Sequence, residues 1–257
     1  MDNINNLFSL NGQVALVTGS TRGLGYQIAQ GLGKAGARII VHGRNEDKAR
    51  ETALTLIEAG LDTSWVSFDI NDQKKCENVF SKIKQQYGRL DILVNNASIR
   101  NRKTLSDLSP LELEEIVQTN ILANIRISRH AIELMRTHKY GRIVTISSIA
   151  GQLIRFGDFA YPITKQALNT MTRAIAVEFG RDGIISNAIA PGTFTTEFNE
   201  KLTQETGNIT KMQERNPLQR WGNPMEIVGP ALFLSSPAAS YVNGQTLAVD
   251  GGFSITF

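Results

Sequence analysis

Short apolar runs without polar alternation recur along this chain, separated by stretches in which apolar residues return every three or four positions. The first run is Val14-Ala15-Leu16-Val17, followed by a glycine-rich turn and then Ile28, Ala29, Leu32 and Ala35 at helical spacing. A run lacking alternation fits a strand covered on both faces. The same rhythm continues with Ala37 to Val41 and a helix from Glu46 to about Ala59, then Trp65 to Phe68, followed by Asp69 and a helix to about Tyr87. Further strands are predicted at Ile92 to Val94, Ile143 to Ile146, Ile185 to Ala190 and Thr246 to Val249, with helices over Leu111 to Thr137 and Tyr161 to Phe179. Strands alternating with helices imply right-handed parallel crossovers. The expected fold is α/β: one doubly wound domain over residues 1–257, a seven-stranded parallel sheet with helices on both faces and ligands at the carboxyl ends of the strands. Only residues 193–218 break the rhythm, with Gly207, Pro217 and a helical stretch from Glu197 to Gln204. Such an excursion serves as a substrate loop or is a plain surface insertion.

Composition narrows the function classes. In 257 residues, 41% hydrophobic, there is no apolar run long enough for a membrane span, and Met1 to Gly12 lacks the pattern of a signal peptide. A soluble cytoplasmic protein without a membrane partner is expected. The net charge of +3 comes without a dense Lys/Arg run, so nucleic acid is not an expected partner. Cys76 stands alone, which excludes an intrachain disulfide, and it reads as an inert helix residue. His42, His130 and His138 are scattered, read as surface or helix residues, and no metal site is expected.

Two places carry chemistry. The turn Gly19-x-x-x-Gly23-x-Gly25 joins a buried strand to a helix, and glycines there bare backbone N–H groups at a helix N-terminus, which attracts phosphate. This spacing is wider than the usual dinucleotide fingerprint. Tyr161 and Lys165 are four apart at the start of a helix and share one face. Tyrosine titrates near ~10, so acid or base work at neutral pH needs a depression of roughly 2–3 units, toward which a lysine cation and a positively charged ring contribute. Ser147 and Ser148 follow the strand Ile143 to Ile146, where a hydroxyl meets a ligand or caps a turn.

Together, Thr18-Gly19-x-x-x-Gly23-x-Gly25, Asn95-Asn96-Ala97, Asn120, Ser148, Tyr161-x-x-x-Lys165 and Pro191-Gly192 resemble the classical short-chain dehydrogenases/reductases, over nearly the whole chain. The resemblance implies a Rossmann fold. It implies Tyr161 as acid/base, Lys165 lowering its pKa and holding the nicotinamide ribose, Ser148 orienting the substrate oxygen, and Asn120 holding a water behind Lys165. Ser148 is preferred to Ser147 because the family's serine stands thirteen residues before the tyrosine. The implied cofactor site comprises Gly19, Thr21, Arg22, Gly23, Leu24, Gly25, Arg44, Asp69, Ile70, Asn95, Ala97, Tyr161, Lys165, Pro191, Gly192 and Phe194. Two departures stand out: Ser98 where the family has glycine, and Pro162, which places the helix start close to Tyr161.

Relatives that use NAD carry an acidic residue at the end of the second strand; here Gly43 and Arg44 occupy that place. A guanidinium pairs with a 2′-phosphate, and with Arg22 and Thr21 it points to NADP(H). The overall look is nearest to bacterial gluconate 5-dehydrogenases, through Asn6 to Leu10, Val41 to Asn45, Arg102 and Arg220-Trp221-Gly222. That likeness implies a sugar acid whose carboxylate meets Arg102 or, second, Arg155; either is alternatively a surface charge. The runner-up is a 3-oxoacyl-carrier-protein reductase, for which Arg126, Arg129 and Arg136 would form a docking patch or a solvated face. A nonenzymatic NADP-binding sensor is the third reading. The ending Val249-Asp250-Gly251-Gly252 resembles the family's last strand and implies a homotetramer.

Overall fold

The computed structural model describes residues 4–199 and 214–256. Seven strands, all parallel, form one sheet: β1 (Val14–Val17), β2 (Arg38–Gly43), β3 (Thr63–Ser67), β4 (Ile92–Asn95), β5 (Gly141–Ile146), β6 (Ile184–Pro191) and β7 (Thr246–Val249). Their order is β3-β2-β1-β4-β5-β6-β7, so the winding reverses beside β1. There the loops after β1 and β4 diverge to opposite faces and leave a crevice at the carboxyl edge.

The lack of polar alternation in β1 has its cause in the two cores. Ala15 and Val17 pack with Ile28 and Leu32 of α2 (Gly23–Lys34), Ala53 and Leu56 of α3 (Glu46–Glu58) and Ala231 of α8 (Val228–Ser235). Val14 and Leu16 pack on the other face with Val79 and Ile83 of α4 (Gln73–Tyr87), Ile127 and Ala131 of α6 (Ala123–Arg136), and Leu168 and Ile175 of α7 (Ala160–Phe179). Each such buried Ile or Leu contributes about 1.5–3 kcal/mol. At the opposite edge, the buried Asp91 carboxylate accepts the Val14 N–H at 2.8 Å and the fork of Arg89, pinning β1 against β4.

Local chemistry sets the boundaries. Asn45 caps α3 by accepting from the Lys48 N–H, and Asp72 caps α4 by accepting from the Lys75 N–H, so α4 starts at Gln73 and ends at Tyr87 as expected. The helix predicted over Leu111 to Thr137 is interrupted. It consists of α5 (Pro110–Val117), opened by a Ser109–Glu112 capping box, a π-helical turn over Gln118–Leu122, and α6. The turn widens where Asn124 Nδ2 donates to the carbonyls of Thr119 and Asn120, at 3.3 and 2.9 Å. Pro162 sits in the first turn of α7, where its missing N–H is harmless. The backbone of Ser98 avoids the left-handed region, so the residue departs from the family pattern without strain. Of the excursion at 193–218, the predicted helix is described only as a single turn, Glu197–Asn199; Gly207 and the remainder to Gln204 lie outside the described residues.

Candidate active site

The glycine turn is built from the backbone outward. Gly19 and Gly23 adopt φ of +63° and +57°, and the helix they introduce carries no side-chain cap. A Cβ at Gly25 would lie 2.4 Å from Asn96 Nδ2, which explains the third glycine as a packing requirement. Asn96 is the brace: its Nδ2 donates to the carbonyls of Thr18 and Gly19 at 2.9 and 3.0 Å, while Thr18 Oγ1 accepts the N–H groups of Asn96 and Ala97. A Cβ at Gly23 would meet Glu197 Oε2 and the Thr196 side chain only at 3.8–4.0 Å, ordinary contact distances, so this glycine is set by its positive φ and not by crowding. N–H groups left without a side-chain cap at a helix N-terminus fit a phosphate.

His42 corrects an expectation. It is neither a surface nor a helix residue but a buried member of β2, at 1% exposure. Its Nδ1 accepts the Gly19 N–H and its Nε2 donates to the Phe68 carbonyl, so the ring is neutral; burial pushes its pKa down to about 4. His130 is partly buried on α6 against Phe80, and His138 is exposed. Cys76 is buried in α4, its thiol pushed up to about 11 by burial.

Beyond β2, Gly43 lies against Thr21: a Cβ there would come 2.6 Å from Thr21 Cγ2. Any side chain at this position requires Thr21 to shift. Arg44 and Arg22 are both exposed on this side of the sheet. Asp69 is partly exposed beside buried Ile70, and Asn95 donates to Ser128 Oγ at 2.8 Å. Gly192 packs against Asp250, and Phe194 is buried beneath Gly222.

The carboxyl ends of β4 and β5 meet α7. Ser147 and Ser148 separate there: Ser147 is buried, its hydroxyl donating to the Lys165 carbonyl at 3.0 Å, whereas Ser148 is partly exposed and its hydroxyl faces the Tyr161 phenol. Lys165, 2% exposed, donates from Nζ to the Ile146 carbonyl at 2.8 Å; burial and Arg100 lower its pKa to about 7. Burial also pushes the Tyr161 phenol above its ordinary value, opposed by Arg100, Ser148 and Arg102. The Asn120 amide bonds both the N–H and the carbonyl of Ile99, at 2.8 Å each, and donates to Thr164 Oγ1.

Arg102 is exposed near Arg100, Asp158, Arg155 and Tyr161, and Arg155 is exposed on the loop before α7. The nearer guanidinium is that of Arg100, which sequence reasoning missed along with Asp158; both stand on irregular loops where no periodicity marks them. The basic stripe on α6 is differently employed. Arg126 bonds the carbonyls of Ile70 and Asn71, while Arg129 and Arg136 pair with Glu133 and Asp182. Among the described residues, no three or more His, Cys, Asp or Glu side chains gather as a metal site needs, and no helix is long and apolar enough to cross a membrane.

This arrangement, a glycine turn leading into an uncapped helix and a Ser-Tyr-Lys group along one sheet edge, coincides with a match to the enoyl-(acyl carrier protein) reductase family over residues 19–254. The chain belongs to the short-chain dehydrogenase/reductase family. It is thus an oxidoreductase of CH–OH groups on a Rossmann-type fold. The gluconate 5-dehydrogenase of Gluconobacter oxydans is 38% identical over 97% of this chain and 98% of its own. The 3-oxoacyl-[acyl-carrier-protein] reductase of Aquifex aeolicus is 34% identical over 95% of this chain and 98% of its own. Among solved structures of short-chain dehydrogenases/reductases, a gluconate 5-dehydrogenase from Burkholderia cenocepacia in complex with NADP and tartrate superposes with a TM-score of 0.95. It is 34% identical, over 99% of this chain and 100% of that one.

Proposed function

We propose that this protein interconverts a secondary alcohol and a ketone on a sugar acid, with NADP(H) as cofactor. The observation that carries the reading is the meeting of Ser148 and Tyr161 at the carboxyl edge, beside Arg102. When bound, the nicotinamide supplies or accepts the hydride. The chain's own residues handle the rest. Tyr161 gives its phenolic proton to the ketone oxygen or takes it from the alcohol, and Ser148 hydrogen-bonds that oxygen. Lys165 holds the nicotinamide ribose and favours the phenolate, Asn120 keeps a water on the proton path behind it, and Arg102, with Arg155, meets the carboxylate.

For the cofactor, the uncapped turn at Gly19, Gly23 and Gly25 with Leu24 takes the pyrophosphate, and Thr21, Arg22 and Arg44 take the 2′-phosphate. Asp69 and Ile70 flank the adenine, and Asn95, Ala97, Pro191, Gly192 and Phe194 line the nicotinamide side. The NADP-bound Burkholderia relative supports this reading. The alternative, reduction of a 3-oxoacyl carrier protein, has the Aquifex relative in its favour. Against it stand Arg126, Arg129 and Arg136, each engaged within the chain. A homotetramer is the expected assembly.

Incubation with NADPH and either 5-ketogluconate or an acetoacetyl thioester separates the two readings. Consumption of NADPH with 5-ketogluconate is the expected result; turnover of the thioester alone would reverse the order. Tyr161→Phe should lose about 10²–10⁴-fold in turnover, and undiminished turnover would remove Tyr161 from its role and reopen the sensor reading.

A further inference from the structure

Arg100 stands on the loop after β4, and that loop is held from three sides. Ile99 exchanges two hydrogen bonds with Asn120. Asn101 and Lys103 both donate to Glu112 of α5, at 3.0 and 2.7 Å. The Lys103 carbonyl accepts the Phe159 N–H at 3.1 Å, joining the loop to the segment before α7. Within this frame the Arg100 guanidinium forms an ion pair with Asp158, whose carboxylate is 3% exposed.

So anchored, Arg100 Cζ lies over the Tyr161 ring, 4.6 Å from its centroid, nearer than Lys165 Nζ at 5.4 Å. The lysine is also engaged with the Ile146 carbonyl. A cation over a phenol is drawn to the ring face and stabilises negative charge arriving on its oxygen. The other groups facing Tyr161 are Arg102 from the same loop, Asp158 from the loop before α7, Ser148 from the end of β5 and Lys165 one turn along α7. Arg102 and Lys165 act with Arg100, and the Asp158 carboxylate acts against it.

We propose that Arg100 is a positioning residue for the proton step: anchored on Asp158, its guanidinium stabilises the Tyr161 phenolate alongside Lys165, so the ion pair sets the pH at which proton donation gives way to proton acceptance. The proposal rests on the reading of Tyr161 as acid/base. Ketone reduction needs the phenol and alcohol oxidation needs the phenolate, so one titration governs both directions. Neutralising either partner of the pair then moves that titration in opposite senses. Arg100→Met removes the favourable charge and raises the midpoint, whereas Asp158→Asn keeps an Oδ1 that accepts from Arg100 but removes the opposing charge, and so lowers it.

The test is a pH profile of kcat/KM for ketone reduction in the wild type, Arg100→Met, Arg100→Lys and Asp158→Asn. Tyrosinate absorbance is titrated in the same proteins without substrate, with Tyr161→Phe as the blank. The midpoint is expected to rise by about one pH unit in Arg100→Met, to fall in Asp158→Asn and to stay near wild type in Arg100→Lys. Uniform loss of activity at every pH, or shifts of the same sign in Arg100→Met and Asp158→Asn, would overturn the proposal. Because the absorbance titration needs no turnover, failure of the acid/base reading, seen as full activity in Tyr161→Phe, is distinguishable from failure of the Arg100 effect.

Discussion

His42 Nδ1 accepts the N–H of Gly19 at 3.0 Å while its Nε2 faces the Phe68 carbonyl at 3.1 Å. A carbonyl can only accept and an amide N–H can only donate, so the ring's single proton is on Nε2. One imidazole thereby ties the glycine turn to the ends of β2 and β3.

Protonating this ring breaks the Gly19 bond and buries a charge. The pKa is lowered from 6.5 to about 4, so between these values the unfolded chain binds more protons than the folded one, and stability falls as pH drops through that window. The loss amounts to about 3 kcal/mol from this group and levels off below the folded pKa. Urea unfolding across this range is expected to show it, and His42→Asn, whose Oδ1 still accepts from Gly19, is expected to flatten the dependence.

Arg44 is expected to act through one phosphate. Arg44→Ala should raise the KM for NADPH about tenfold, the worth of a charge-assisted hydrogen bond at an exposed site, while leaving NADH nearly unchanged. Initial rates with both cofactors measure this. Equal effects on the two would remove Arg44 from the 2′-phosphate.

The two adjacent serines should separate kinetically. Ser148→Ala is expected to lower kcat without much change in melting temperature. Ser147→Ala, which removes the hydroxyl bonded to the Lys165 carbonyl, should cost about 1 kcal/mol of stability and reduce kcat less. Thermal melts and turnover on the same preparations decide between them; a reversed pattern would move the substrate contact to Ser147.

Gly25→Ala should weaken cofactor binding by displacement. The added methyl would sit 2.4 Å from Asn96 Nδ2 and 2.5 Å from the Gly19 carbonyl, so the brace must yield. A cost of about 1–3 kcal/mol in stability is expected from such overpacking, together with lower affinity for NADPH in a fluorescence titration. Retained affinity would mean that the turn tolerates an altered Asn96.

The strands were legible because burial on both faces writes itself into the chain as unbroken apolar runs, as in Val14 to Val17. The π turn at Gln118–Leu122 was not, since the hydrogen bonds that accompany it, from the Asn124 side chain to the carbonyls of Thr119 and Asn120, leave no periodic trace. In the same way Tyr161 and Lys165 announce themselves by spacing on one helix. Arg100 and Asp158 are 58 residues apart, and only the folded loops bring them together. The burial of His42 is not legible in the sequence, because a polar residue in a short strand gives no sign of the two partners that satisfy it.

The contact of Gly43 with Thr21 imposes an order on how this protein's cofactor choice can change. An aspartate arriving first at position 43 would meet the threonine methyl and be penalised before it could bind a ribose. A smaller residue at position 21 would relieve that contact, but at the cost of the hydroxyl proposed to meet the 2′-phosphate. The route between cofactors thus passes through an intermediate that has given up one NADP(H) contact before gaining any for NADH, and single-step selection for NADH would act first on other positions.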